Sequence, residues 1–161
     1  MFIYIVRHAW AGQHGDPAYP DDSLRPLTDK GKKRFRRMVK KLVKREFLPT
    51  AVATSSLVRA RQTADIICDV CPGSPALAVL ADLSPGGRLE PLLQWTREQS
   101  GDVAWVGHAP DVESLAADLM GASNGQIGCE KGAVAAVRFA GPIAAGAGEL
   151  VWLATADLLR C

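Results

Sequence analysis

No apolar run in this chain approaches the roughly 18–20 residues that a membrane-crossing helix needs. Met1–Val6 has no basic start and no long apolar stretch, and it leads straight into charged residues. It is therefore expected to be a strand and not a signal peptide, with the cytoplasm as the expected compartment. Cysteine is scarce: Cys68, Cys71, Cys129 and Cys161 are too few to staple a chain of 161 residues. Cys68 and Cys71 form a CxxC, but no second CxxC and no paired histidine completes a tetrahedral zinc site. Both lie in or at the end of the apolar stretch Ala64–Cys71 and are read as inert thiols. Internal repeats, linkers and low-complexity tracts are missing as well. With 48% hydrophobic and 22% charged residues, residues 1–161 are expected to form one globular domain.

Acid is missing from one segment in particular. Residues 30–45 (KGKKRFRRMVKKLVKR) carry ten of the nineteen basic residues and no carboxylate, so the rest of the chain holds nine basic against seventeen acidic residues, a net of −8. The overall charge of +2 conceals this. Phe35, Met38, Val39, Leu42 and Val43 recur at helical spacing through the segment, with Thr28 as N-cap and Pro49 as the expected end of the helix. The lysines and arginines then form either a solvated face or a docking surface for an acidic protein. Nucleic acid is not expected, because no aromatics are interleaved for base stacking. An anionic membrane is not expected either, because the core needs the apolar side.

What the chain does contain is a regular alternation. Apolar strands are expected at Phe2–Val6, Ala51–Thr54, Ala76–Leu80 and Val103–Val106, with helices over Leu57–Val70, Leu89–Gln99 and Pro110–Met120. Ala133–Phe139 and Leu150–Ala154 read as a closing antiparallel hairpin. The expected fold class is α/β: three layers, a mainly parallel sheet and helices on both faces.

The chemistry collects after the strands. Arg7-His8 follows the first strand, Ser55-Ser56-Leu57-Val58-Arg59 the second, and Gly107-His108-Ala109-Pro110 the fourth. In a parallel sheet these carboxyl ends share one edge, where ligands bind. Two of only three histidines fall at such ends. Arginine forks and helix N-termini suit a phosphoryl dianion. A neutral imidazole among cations, its proton affinity lowered by them, is a competent nucleophile. The residues thus describe phosphoryl capture by a nucleophilic histidine. Arg61, two residues from Arg59, faces elsewhere on a helix and reads as a surface or ion-pair residue. His14 reads as solvated. Trp10 reads either as a wall of the pocket or as core.

Arg7-His8, then Arg25-Pro26-Leu27-Thr28 with Gly31, then Ser55 to Ala64 and Val106-Gly107-His108, resemble the histidine phosphatase superfamily. Within it the chain is most similar to the small bacterial SixA-type phosphohistidine phosphatases, in length and in the Arg25-Pro26-Leu27-Thr28 and Asp82-Leu83-Ser84-Pro85-Gly86 segments. The resemblance implies a phosphoglycerate mutase-like fold and a phosphatase with neither metal nor cofactor. It implies that His8 attacks phosphorus and becomes phosphohistidine, that Arg7, Arg59 and His108 hold the phosphoryl oxygens, and that water hydrolyses the intermediate. Arg25 either reaches the phosphate or braces its loop. Ala9 stands where the superfamily usually has glycine.

Larger relatives take a proton donor from an insertion that this chain is too short to contain. Asp82 is the nearest candidate, with Glu90 behind it. A site without a strong acid favours a good leaving group, and imidazole, whose conjugate acid has a pKa of about 6.5, leaves far more readily than an alkoxide. The expected substrate is a phosphorylated protein carrying phosphohistidine. The alternatives are a small phosphate ester and, from another class, a phosphate-binding module without turnover.

Overall fold

The computed structural model describes residues 1–122 and 127–161. Strands β1 (Phe2–Arg7), β2 (Ala51–Thr54), β3 (Ala76–Val79), β4 (Val103–Gly107), β5 (Val134–Arg138) and β6 (Glu149–Ala154) make one six-stranded sheet in the order β3-β2-β4-β1-β5-β6. β3, β2, β4 and β1 run parallel, while β5 is antiparallel to β1 and β6 antiparallel to β5. The expected α/β class, with its antiparallel closing pair, is what the structure has.

The period of two along β1 sorts its side chains between two cores. Tyr4 and Val6 join Phe35, Met38 and Leu42 of α1 (Asp29–Val43) and Ala60, Ala64 and Ile67 of α2 (Val58–Val70). Ile3 and Ile5 face Leu92 and Leu93 of α3 (Leu89–Arg97) and Val112 and Leu115 of α4 (Asp111–Leu119). Strands buried on both faces need no polar alternation, which is why they read as apolar runs. Helices cover both faces, giving three layers.

α1 begins as expected, with the Thr28 side chain accepting from Gly31 N–H. It ends sooner than expected. Pro49 does not stop it; the helix closes after Val43, where Phe47 N–H reaches Leu42 O at 3.1 Å and Glu46 N–H reaches Val43 O at 3.2 Å. This pair of bonds is a Schellman closure, with Glu46 in the left-handed position at φ 66°. Glycine usually takes that position, so the sequence carried no signal for the stop.

Gly31, in the first turn of α1, lies under the loop that follows β1. A Cβ there would collide with the Trp10 carbonyl oxygen. Trp10 O also accepts from Thr28 N–H at 3.0 Å. The start of α1 and the loop after β1 are therefore packed backbone to backbone.

Candidate active site

The adjacency of β2, β4 and β1 brings their three following loops to one edge of the sheet. Backbone bonds fix them there: His8 N–H donates to Gly107 O at 2.9 Å, Arg7 N–H to Ala133 O at 3.1 Å, and Ser55 N–H to Val106 O at 3.3 Å. The buried polar and charged residues of the described chain are His8, Arg25, Thr54, Ser55, Arg59, Thr63, Thr96 and His108. All except Thr96 stand at this edge or on the elements that close over it. Burying so many polar groups in one place is costly without partners, so their bonds define the site.

His8 is 7% exposed, and its Nδ1 lies 2.8 Å from the Ala9 carbonyl oxygen. Only a protonated Nδ1 can bond a carbonyl, so neutral His8 keeps the lone pair on Nε2. Burial, followed by the charges of Arg59, Arg7 and Arg25, lowers its pKa to about 4 against the bond to Ala9, which raises it. His108 lies beside it, the two ring centroids 5.1 Å apart. Burial, with His8 and Arg59 nearby, lowers the pKa of His108 to about 3. Ser55 Oγ accepts from Leu57 N–H and sits 2.8 Å from His108 Nε2. Its own proton is then free to bond Nε2, which leaves the remaining imidazole proton of neutral His108 on Nδ1.

Arg59 projects from the first turn of α2, and its Nη1 donates to Asp22 O at 2.8 Å and lies 3.1 Å from Asp22 Oδ2. Arg7 Nη1 donates to Cys129 O at 2.8 Å. Arg25 Nε donates to Asp22 Oδ1 at 2.8 Å and its Nη1 to Gly12 O at 2.6 Å, so Arg25 braces the loop while adding positive charge near His8. Among the described residues, Arg7 Nε, Arg59 Nε and His108 Nδ1 are buried side-chain atoms without a partner. All three belong to residues singled out from the sequence. Around the free Nε2 of His8 the fold thus assembles cations and unfilled donors, a setting suited to an anion with several oxygens.

A model of the histidine phosphatase superfamily (branch 1) matches residues 3–83. The chain belongs to the histidine phosphatase superfamily. As a histidine phosphatase it is also 36% identical over 116 residues to an uncharacterized protein of Picosynechococcus sp., covering 70% of this chain and 68% of that one. Its structure is similar to the protein histidine phosphatase SixA complexed with tungstate, at a TM-score of 0.84 and 27% identity over 99% of both chains. The fold also matches a SixA from Nakamurella multipartitia described as a putative phosphohistidine phosphatase. The TM-score there is 0.75, at 24% identity over 96% of this chain and 95% of that one.

Several parts of this histidine phosphatase were visible in the sequence only as motif letters. Thr63 Oγ1 accepts from Ala9 N–H at 3.0 Å and donates to Arg59 O at 2.7 Å, clamping the loop that carries His8 to α2. Gln62 Oε1 accepts from Leu27 N–H at 2.8 Å and anchors the Arg25 loop. Asp22 gathers Arg25, Arg59 and His14. The bonds from Arg25 and His14 hold its carboxyl well below the usual carboxylate range. Asp22 gave no signal because its partners are scattered in sequence.

Arg61 faces outward and pairs with Asp65 at 3.2 Å, as its helical offset from Arg59 predicts. His14 is exposed, yet not simply solvated, because its Nδ1 is 2.9 Å from Asp22 Oδ1. Trp10 lies against Arg34, whose guanidinium carbon is 4.3 Å from the ring centre, and against Gly132. Asp82, the expected proton donor, is occupied elsewhere: its Oδ1 accepts from Arg88 N–H at 3.2 Å and from Arg88 Nε at 3.3 Å. Glu90 pairs with Arg97 at 2.7 Å. The turn after β3 reaches the end of β4, where Leu83 packs against Gly107, while the Asp82 side chain stays partly exposed beside Arg88. Burial pushes the Cys71 thiol up to about 12 and the Cys129 thiol up to about 11, consistent with inert thiols.

Proposed function

We propose that this phosphatase hydrolyses phosphohistidine on a protein, with His8 as nucleophile. The observation that carries the reading is the set of buried, unpartnered donors, Arg7 Nε, Arg59 Nε and His108 Nδ1, gathered around an imidazole whose lone pair is on Nε2. In the first step the His8 Nε2 pair forms a bond to phosphorus while the bond from phosphorus to the leaving imidazole nitrogen breaks; that nitrogen carries away the electron pair, and the proton already on the other nitrogen of the substrate ring makes the leaving group neutral imidazole. The two arginines and His108 stabilise charge on the phosphoryl oxygens throughout. Water then attacks phosphorus, the bond to His8 breaks, and inorganic phosphate leaves with the water oxygen.

The choice of substrate rests on the acid side of the site. Neither Asp82 nor Glu90 hydrogen-bonds to His8, Arg59 or His108 among the described residues, and both are held by arginines. An alkoxide needs a proton from a well-placed acid. A phosphohistidine ring takes its proton from solvent on the nitrogen remote from phosphorus and leaves as neutral imidazole, so a phosphoramidate suits this site better than a sugar phosphate. The similarity to the SixA structure supports the same reading.

Radiolabelled phosphohistidine protein provides the test. The expected result is fast release of labelled phosphate, a trapped label on the enzyme after acid-free quench, and no label on His8→Ala. Rapid turnover of phosphosugars and nucleotides with phosphohistidine protein left intact would overturn the reading in favour of a small-metabolite phosphatase. Binding of phosphate without turnover of any phosphorylated substrate would leave a phosphate-binding module.

A further inference from the structure

The ten cations of residues 30–45 divide into two sets. Lys32, Arg34, Arg36 and Lys41 are tied to the fold: Lys32 to Asp29, Arg34 to Asp157 and the Cys161 carbonyl, Arg36 to Asp69, and Lys41 to the Leu159 carbonyl at 2.6 Å. Arg45 bonds back to the Lys41 carbonyl. The other five, Lys30, Lys33, Arg37, Lys40 and Lys44, are all exposed, and none meets a carboxylate among the described residues. They follow one another at steps of three and four, which on a helix is a single line. The line spans about 21 Å at the helical rise.

A lysine-rich face is ordinary on a soluble helix, but such faces normally interleave acids, and like charges three and four apart weaken the helix that carries them. This line has that cost and no compensating contact in the fold. The residues outside 30–45 carry a net of −8, so the line stands on an otherwise acidic molecule. The stripe starts beside the site. α1 follows directly on the Arg25 loop, and its first turn packs on the loop that carries His8.

We propose that this stripe docks an acidic face of the phosphohistidine protein, holding it so that its phosphorylated side chain reaches His8. The inference rests on the function proposed above and names the chemistry of the partner. A protein fits better than the other polyanions. A nucleic acid would extend past the stripe onto negative surface, and the nearby Trp10 ring is covered by Arg34 and not offered for stacking. A bilayer would need apolar side chains on the outer side of α1, yet Phe35, Met38, Val39 and Leu42 are all buried.

The experiment uses two synthetic peptides with one phosphohistidine each, one followed by a run of glutamates and the other by glutamines. A second enzyme form carries Lys33→Gln, Arg37→Gln, Lys40→Gln and Lys44→Gln together. The wild-type enzyme is expected to prefer the acidic peptide by about tenfold in kcat/KM at low salt, with the preference abolished in high salt. The quadruple variant should lose that preference while its turnover of the glutamine peptide and its thermal midpoint stay as in the wild type. Equal rates on both peptides, or a preference that survives in the variant, would overturn the proposal.

Anisotropy of the unphosphorylated, fluorescently labelled glutamate peptide reads docking without catalysis. Salt-sensitive binding by the wild type and its loss in the variant support the stripe even if neither phosphopeptide is hydrolysed. Absent binding overturns the stripe even if both are hydrolysed. A single-stranded oligonucleotide that binds the stripe more tightly than the glutamate peptide overturns it in favour of nucleic acid.

Discussion

Two groups of cations, one at the sheet edge and one along α1, do opposite things. Arg7, Arg25 and Arg59 stand at the sheet edge, with Arg25 and Arg59 buried to about the same degree as His8. The cations on the outer line of α1 stand in water. A buried guanidinium must find partners, so Asp22 and the Cys129 and Gly12 carbonyls take up the Nη groups and leave two Nε atoms unfilled. A solvated ammonium is already satisfied by water and acts at a distance, through a field that salt screens. The difference teaches that the count of basic residues says little; their burial decides whether they bind one anion tightly or gather many loosely.

The sharpest way to break the comparison is to remove groups from the buried set. His8→Ala should lower kcat/KM by on the order of 10⁴-fold or more, measured by phosphate release. Arg59→Lys keeps the charge but not the planar fork, and should cost about 10²-fold. Lys40→Arg on the outer line should leave the same rate within about twofold. If Arg59→Lys and Lys40→Arg had equal effects, burial would not be what separates the two groups.

A third test concerns protons. His8 and His108 are held neutral in the fold, with pKa values of about 4 and about 3 against the ordinary 6.5. The unfolded chain therefore binds more protons between those values and 6.5. Stability is fully present above about pH 6.5 and falls as the pH drops toward 4 and then 3. Denaturant midpoints across that range should show the loss, and NMR titration should show no imidazole inflection near 6.5 for either residue.

Smaller effects come from the supports. Thr63→Val removes the acceptor of Ala9 N–H and the donor to Arg59 O, and should destabilise the fold by about 1–3 kcal/mol in chemical denaturation. Asp82→Asn, beside Arg88, should change turnover of phosphohistidine by less than about threefold. A larger loss would return Asp82 to the role of proton donor.

Periodicity made most of the architecture legible. Alternation of strand and helix gave the layers, and the offset between Arg59 and Arg61 showed which of the two faces the site. The meeting of Arg7, His8, Arg59 and His108 was legible because strand ends converge in a parallel sheet, a rule of topology that needs no contacts. What escaped depends on contacts between distant segments. Asp22 matters through Arg59, thirty-seven positions away, and Thr63 through Ala9, fifty-four positions away. The end of α1 escaped because Glu46 occupies a backbone conformation that favours glycine. The occupation of Asp82 by Arg88 escaped because sequence nearness to the site edge says nothing about which partner takes a carboxylate first.

Gly31 has a consequence for how such an enzyme could change partners. Its hydrogen occupies the only space between the first turn of α1 and the Trp10 carbonyl, so that turn has almost no tolerance for a bulkier side chain. Two positions further on, Lys33 is exposed, and its side chain makes no hydrogen bond or ion pair among the described residues. One helix thus carries an inner turn packed on the loop of His8 and an outer line that can be rewritten without disturbing it. Selectivity for a partner could then drift along α1 while the chemistry at His8 stays fixed.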